Sequence, residues 1–316
     1  MHINLNSFLS LYVIYSLFGE QMLFVYLSNM NNISFLDISY VLTAALGWAA
    51  LGSWVLLLSD AVHPLAFSGA RGFFIVVGFI FAGIRVKRGN NSSFTPREDR
   101  IIRWRSVILS GFAYGFASIT YVMSLGLIPV GMAAPLHYTT PLFLICGTAL
   151  VRRSLPAWND FVGVILGASG AFILVLHASH GANYGVTFAI ASAALWAVYL
   201  AAQGWLSPTE KRLAALTGGA VMFLFSVPWY HSGLATIPIV SLLAIAGIVS
   251  SSLPLALLAR ASKRLTPSSI SLLLLCEPSL AALIAYLTTG QSIDTIKGLG
   301  LIFITAGAAS PFFRRS

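Results

Sequence analysis

Residues 267–287 read PSSISLLLLCEPSLAALIAYL, an apolar stretch of 21 residues with one charged side chain, Glu277, at its centre. A helix of this length rises about 30 Å, which is the thickness of the hydrocarbon core of a bilayer. Lipid offers no hydrogen-bond partners to the backbone, so a membrane span is either a helix or a strand of a closed barrel. The stretch is about twice as long as a barrel strand, and we therefore predict a transmembrane helix.

Similar stretches recur along the whole chain. Of its 316 residues, 58% are hydrophobic and 9% are charged, and the mean hydropathy is +0.87. Because a soluble domain is about 25% charged, the composition predicts an all-α membrane protein without a soluble domain. The ten predicted spans, numbered one to ten, are 38–58, 64–84, 105–125, 130–150, 159–177, 184–205, 213–230, 236–258, 267–287 and 295–312.

Lysine and arginine residues are distributed unevenly about these spans. If the spans alternate in direction, sixteen of the eighteen fall on one side, which includes the 85–104 loop and the C-terminus. The positive-inside rule places that side in the cytoplasm. Topology thus accounts for the net charge of +9, and we expect membrane lipid but no nucleic acid as a partner. The expected location is the cell (inner) membrane.

Residues 1–37 form an N-terminal extension with two possible interpretations. The segment from Phe8 to Ser28 is apolar enough for an eleventh span, although Glu20 and Gln21 interrupt it. It lacks the positively charged start of a typical cleaved signal peptide. The other interpretation is that translation begins at Met30. Both interpretations stay open.

The spans divide into two five-helix repeats, residues 38–177 and 178–316. The sequence ALGWA at 45–49 resembles AALWA at 193–197, so equivalent positions there are 148 residues apart. Later in the two halves, equivalent positions are 137 residues apart. Each half has an odd number of spans, so the second half enters the membrane from the opposite side. Such inverted-topology repeats recur in secondary transporters. The positions equivalent at the later offset are Pro141 and Pro278, Gly163 and Gly300, and Gly170 and Gly307.

Several motifs carry a resemblance to a known family. They are the Leu46-Gly47-Trp48 box, Ala70-Arg71-Gly72, residues 121–142, and residues 252–265 with 275–282. With these, the sequence resembles the drug/metabolite transporter superfamily, EamA type. The pattern Trp196-Ala-Val-Tyr199, followed by Gln203, is similar to the threonine/homoserine exporter branch.

The resemblance implies a ten-helix secondary transporter that exports a small amino acid or related metabolite, with proton coupling expected. A transporter of another metabolite or drug in the same fold, or a non-transporting channel or sensor, stays open as an alternative. The chain departs from the family at Gly290-Gln291, where the family more often has an acid.

Ionisable side chains deep in a membrane are costly and usually functional. Glu277 lies about 15 Å from either end of span nine. Arg71 lies nearer to the membrane surface that faces away from the basic loops, about 10 Å below it. Glu277 is expected to exchange a proton or to pair with the amine of a substrate. The alternative is a structural ion pair between Glu277 and Arg71.

Two prolines are predicted to break helices near the middle of the membrane. Pro141 and Pro278 each free a carbonyl four residues back, those of His137 and Leu274, and broken helices present polar backbone to ligands in many transporters. A plain kink is the alternative. With Tyr114 as a further aromatic candidate, the predicted substrate-binding residues are Trp48, Arg71, Tyr121, His137, Tyr138, Thr140, Trp196, Tyr199, Gln203 and Glu277.

Enzymatic chemistry is not expected. Gly167-Ala168-Ser169-Gly170 matches the nucleophile box of intramembrane proteases, but such an enzyme needs a histidine base in a later span, and the later histidines fall in loops. We expect this glycine stripe to pack against another helix. The sequence has no P-loop and no metal-ligand spacing, so we expect no cofactor. Cys146 and Cys276 lie inside spans, which makes a disulfide improbable, and no motif indicates an oligomeric state.

Overall fold

A computed structural model describes residues 35–89, 102–153, 155, 158–176, 182–203, 205–230, 236–261, 264–265, 270, 273–291 and 294–309. These residues are helical apart from short turns, and none of them forms a strand. The interpretations of residues 1–34, the C-terminal residues 310–316 and the later histidines, His177, His180 and His231, lie outside the described residues.

Each helix of the first half coincides with a predicted span. Span one is divided at Ala50, and span four at Tyr138 and Thr139. The helices of spans one to five are Phe35–Ala49 with Leu51–Leu57, Pro64–Gly89, Trp104–Leu125, Val130–His137 with Thr140–Arg152, and Trp158–Leu176.

The second half repeats this order of helices. Span eight contains one wide π-helical turn, and span nine is helical at Ile270, Leu273 and Leu274 before a turn at Leu275 and Cys276. The helices of spans six to ten are Asn183–Gln203, Pro208–Ser226 with the 3-10 turn Val227–Trp229, Ile237–Gly247 with Ile248–Ser252 and Leu253–Ala261, Glu277–Thr289, and Thr295–Ala309.

These helices are apolar enough for a membrane protein. Among the described residues, six helical segments have the length and composition to cross a membrane, and spans two, five and ten are shorter apolar helices. Span nine, the remaining predicted span, is interrupted by the turn at Leu275 and Cys276. Within the described residues, the predicted all-α membrane fold with ten spans is confirmed.

Glycines join spans five and ten in a two-fold arrangement. A Cβ added to Gly170 would lie 2.7 Å from the carbonyl oxygen of Gly300, and one added to Gly307 would lie 2.6 Å from that of Gly163. Residue numbers rise in one helix as they fall in the other, so the helices are antiparallel. Because Gly163 is equivalent to Gly300 and Gly170 to Gly307, the two contacts are copies of each other. The glycine stripe therefore packs helices, as predicted, and the two halves are inverted.

Spans two and seven, which are also equivalent in the two halves, pack in the same way. A Cβ on Gly69 would collide with the Ser226 side chain, and one on Gly72 would collide with the carbonyl of Gly219. Residue numbers rise from Gly69 to Gly72 in span two while those of their partners fall from Ser226 to Gly219 in span seven. This pair of helices is therefore antiparallel too. Two antiparallel pairs of equivalent helices are what a pseudo-two-fold axis in the membrane plane requires.

Polar contacts join the two halves at the end of the bundle that carries Arg103 and Arg264, here called the basic end. Arg264 lies 3.7 Å from the Asp37 carboxylate. The backbone N–H of Arg103 donates to Glu210 at 2.9 Å, and Glu210 also closes a capping box with Ser207 at the start of span seven.

The opposite end is joined as well. The Val130 N–H donates to the side-chain oxygen of Gln291 at 3.0 Å, and the Thr288 hydroxyl donates to Ser53 at 2.9 Å. Gln291 follows Gly290, whose φ of +70° ends span nine with a left-handed residue. Polar contacts thus join the two halves at both ends of the helix bundle, and the polar side chains at mid-height lie between these two sets of contacts.

Candidate functional site

Span four breaks at mid-height as predicted. Its first helix ends at His137 and its second begins at Thr140, with Pro141 in the first turn. A proline suits this position because its missing N–H would have no partner there. The predicted freedom of the His137 carbonyl is reduced, however, because the Thr140 hydroxyl donates to it at 2.8 Å. The same hydroxyl reaches the Ala193 carbonyl of span six at 3.3 Å.

Span nine has the equivalent break. After the turn at Leu275 and Cys276, a helix begins at Glu277 with Pro278 in its first turn. Glu277 is 7% exposed, and its carboxyl accepts a hydrogen bond from the Tyr138 hydroxyl. Tyr138 lies in the break of span four, so this bond joins the two breaks and the two halves. A carboxylate in the first turn of a helix is also favoured by the helix dipole.

Arg71 binds the irregular turn of span eight. Its Nε donates to the Ser251 hydroxyl at 2.9 Å, and one terminal nitrogen donates to the Ser250 carbonyl at 3.3 Å. Pro254 has no N–H, so the carbonyl four residues earlier, that of Ser250, loses its helical partner. The wide turn Ile248–Ser252 and Pro254 thus leave an acceptor that Arg71 uses.

The alternative interpretation of an Arg71–Glu277 pair is wrong. Arg71 bonds to span eight and Glu277 bonds to span four, and the ion pairs within the described residues do not join them. Contacts between side chains lead from Glu277 to Tyr121, because Tyr138, which donates to Glu277, meets His137, and Tyr121 stacks on His137. The site therefore holds a buried cation and a buried acid that bond to different helices.

Aromatic side chains from spans three, four and six surround these groups. The Tyr121 ring stacks on His137 with ring centroids 4.4 Å apart, and Trp196 meets His137 edge-on at 5.9 Å. Trp196 and Tyr199 contact each other at 4.9 Å, and Tyr114 contacts both. The predicted aromatic residues of these three spans thus form one continuous cluster.

Two predicted residues lie apart from this cluster's centre. Gln203 is one turn beyond Tyr199 toward the basic end, where its side-chain amide donates to Ser110 at 3.0 Å. Trp48 lies half-buried in the last turn of Phe35–Ala49, and no hydrogen bond or ring contact in the described part of the chain joins it to the cluster.

Three serines that were not among the predicted residues also belong to the site. The Ser192 hydroxyl lies 2.8 Å from Nδ1 of His137 and also donates to the Ala117 carbonyl. Ser250 and Ser251 hold Arg71. The available signals were the spacing of four residues between Ser192 and Trp196, which places both on one helix face, and a run of serines just before Pro254.

Fold and site together define a membrane transporter built as an inverted repeat, with discontinuous helices and buried ionisable groups at mid-height. The family model of the EamA-like transporter family matches residues 36–176 and 183–310. The chain belongs to this family, and the two matched segments correspond to one five-helix repeat each.

Curated relatives carry a more specific name. The threonine/homoserine exporter RhtA of Escherichia coli (strain K12) is 27% identical over 275 residues, which cover 83% of this chain and 85% of that protein. RhtA of Salmonella typhimurium (strain LT2) is 25% identical over 215 residues, 64% of this chain and 69% of that protein. A solved crystal structure shares the fold, with a TM-score of 0.60, 21% identity and coverage of 89% of this chain and 99% of that one.

Proposed function

We propose that this transporter exports a small amino acid or a related metabolite across the inner membrane in exchange for protons, with its C-terminus in the cytoplasm. The observation that carries the proposal is the position of Glu277. Its carboxyl is buried at mid-height, between the two halves, at the start of a broken helix.

A buried carboxyl at this place needs a partner for its charge. An unpaired carboxylate inside a membrane protein is expensive, and the Tyr138 hydroxyl supplies a hydrogen bond but no positive charge. Glu277 therefore holds either a proton or a cationic group of the substrate. Alternation between these two states links outward movement of the substrate to inward movement of a proton.

The surrounding side chains support a small polar substrate. Five aromatic rings from spans three, four and six contact one another beside Glu277; they belong to Tyr121, His137, Tyr138, Trp196 and Tyr199. Hydroxyls at Thr140 and Ser192 add hydrogen-bonding groups at its edge. The relatives' name, threonine/homoserine exporter, favours an amino acid of this size. The proposed substrate-binding residues are Trp48, Arg71, Tyr121, His137, Tyr138, Thr140, Trp196, Tyr199, Gln203 and Glu277.

The decisive experiment compares Glu277→Gln with the wild-type protein in proteoliposomes. Labelled threonine, homoserine and other small amino acids are tested in turn, with and without a pH gradient. Glutamine keeps the shape and polarity of the side chain but removes its titration. We expect the variant to lose net movement driven by the pH gradient, while exchange of labelled for unlabelled substrate at equal pH persists.

Asp60→Asn serves as the matched control, because Asp60 is an exposed carboxylate at the end of span one. It should transport as the wild type does. Normal pH-driven transport by Glu277→Gln would refute the coupling role of Glu277. If the wild-type protein gave no counterflow with any amino acid of the panel, the proposed substrate class would be wrong.

A further inference from the structure

The guanidinium group of Arg71 has three nitrogens, and the protein occupies two of them. Nε and Nη2 donate to span eight, whereas Nη1 is buried and has no hydrogen-bond partner among the described residues. The Arg71 residue is 4% exposed. A buried donor on a cation is costly when it stays unpaired, so this nitrogen is the part of the guanidinium that can take an acceptor from outside the described residues.

A second polar group on the same helix face is also unpartnered. The Ser68 hydroxyl lies three residues before Arg71 in span two, is fully buried, and has no hydrogen-bond partner in the described part of the chain. Residues three apart lie on one face of a helix. Span two therefore presents Nη1 of Arg71 and the Ser68 hydroxyl about one turn apart, and neither has an acceptor among the described residues.

The two bonds to span eight fix the direction of the remaining nitrogen. The Ser250 carbonyl is available because Pro254 removes its helical partner, and Ser251 holds Nε from the same turn. A planar guanidinium held at two nitrogens can rotate little about its last bonds, so Nη1 is pre-oriented. Arginine held in this way is suited to binding carboxylates.

We propose that Nη1 of Arg71 binds the carboxylate of the transported substrate, and that Glu277 receives its ammonium group. This inference rests on the proposed function and specifies its substrate class as a free zwitterionic amino acid. One buried cation and one buried acid then match the two opposite charges of the substrate.

The test measures how well a compound that lacks the carboxylate competes with the amino acid. The purified full-length protein, reconstituted in proteoliposomes, performs counterflow of labelled threonine with unlabelled threonine or threonine amide as competitor. The wild type should prefer threonine by about tenfold or more. In Arg71→Gln the affinity for threonine should fall, and the ratio between the two competitors should approach one. Because this ratio is internal to each variant, it does not depend on the amount of protein.

Arg71→Gln retaining the wild-type ratio would overturn the inference. If that variant does not fold, Ser251→Ala removes only one of the bonds that orient the guanidinium, and it should weaken threonine binding more than amide binding. An unchanged ratio in Ser251→Ala would overturn the inference equally. A wild-type protein that transports threonine and its amide alike would refute the carboxylate contact alone. A wild-type protein that transports no amino acid would instead refute the proposed function.

Discussion

Replacing Gly307 by alanine is expected to force spans five and ten apart. The added methyl group would lie 2.6 Å from the carbonyl oxygen of Gly163, 2.6 Å from the backbone nitrogen of Gly167 and 2.9 Å from its Cα. Carbon and oxygen atoms normally approach no closer than about 3.3 Å, so the contact is short by roughly 0.7 Å. All three neighbours are backbone atoms and cannot move aside by a rotamer change.

The expected magnitude follows from this geometry. Overpacking of a well-packed interface costs about 1–3 kcal/mol, and the better helix propensity of alanine offsets at most about 1 kcal/mol. Because all three contacts are with backbone atoms, the overpacking cost lies in the upper part of this range, about 2–3 kcal/mol. The net loss in the free energy of unfolding is then about 1–2 kcal/mol. For a large chain, each kcal/mol lost from the free energy of unfolding lowers Tm by about 2–4 °C. Tm should therefore fall by roughly 2–8 °C.

The assay is thermal unfolding of the purified protein in detergent, followed by the loss of the monodisperse peak on size-exclusion chromatography. Gly298→Ala is the matched control on the same helix, because a Cβ at Gly298 meets nothing within 4 Å. Gly170→Ala, the two-fold counterpart, should be destabilised as Gly307→Ala is. If Gly307→Ala were as stable as Gly298→Ala, the antiparallel glycine contact of spans five and ten would be refuted.

Two further predictions concern topology and the broken helices. Reporter fusions after Arg105 and after Ser316 should be active only with a cytoplasmic reporter, since sixteen of eighteen basic residues share that side; a periplasmic signal at either place would contradict the proposed orientation. Pro141→Ala and Pro278→Ala restore a backbone N–H and let the helices of spans four and nine continue through their breaks. Transport should fall severalfold in each variant while expression persists. Normal transport in both variants would mean that the prolines only bend the helices and do not contribute to the binding site.

The span pattern was predictable because lipid imposes it. A helix that crosses a bilayer must be apolar over about 20 residues, and this requirement is visible in the sequence without knowledge of tertiary contacts. The break before Pro141 was predictable for a similar local reason, because proline cannot donate to the preceding turn. The packing of Gly163 against Gly307 followed from small residues at equivalent positions, which allow close approach of helices.

The partners of the ionisable residues were not predictable in the same way. Sequence position gives the depth of Arg71 and Glu277 in the membrane, but not the direction in which each side chain points around its helix. Arg71 turns to an acceptor in span eight that exists because Pro254 lacks an N–H, and Glu277 turns to Tyr138 in the break of span four. Both choices depend on how distant helices are arranged.

The same arrangement indicates which contacts must change during transport. Asp37 with Arg264 and Arg103 with Glu210 join the halves at the basic end, and Val130 with Gln291 joins them at the opposite end. Rocking of one half against the other about a mid-height axis displaces each contact in proportion to its distance from the axis. The end contacts must therefore break in turn, whereas the Tyr138–Glu277 bond, close to the axis, moves least. In the proposed function, a carboxyl at that position would remain within reach of the substrate whichever end is open, as an exchange of a proton for a substrate requires.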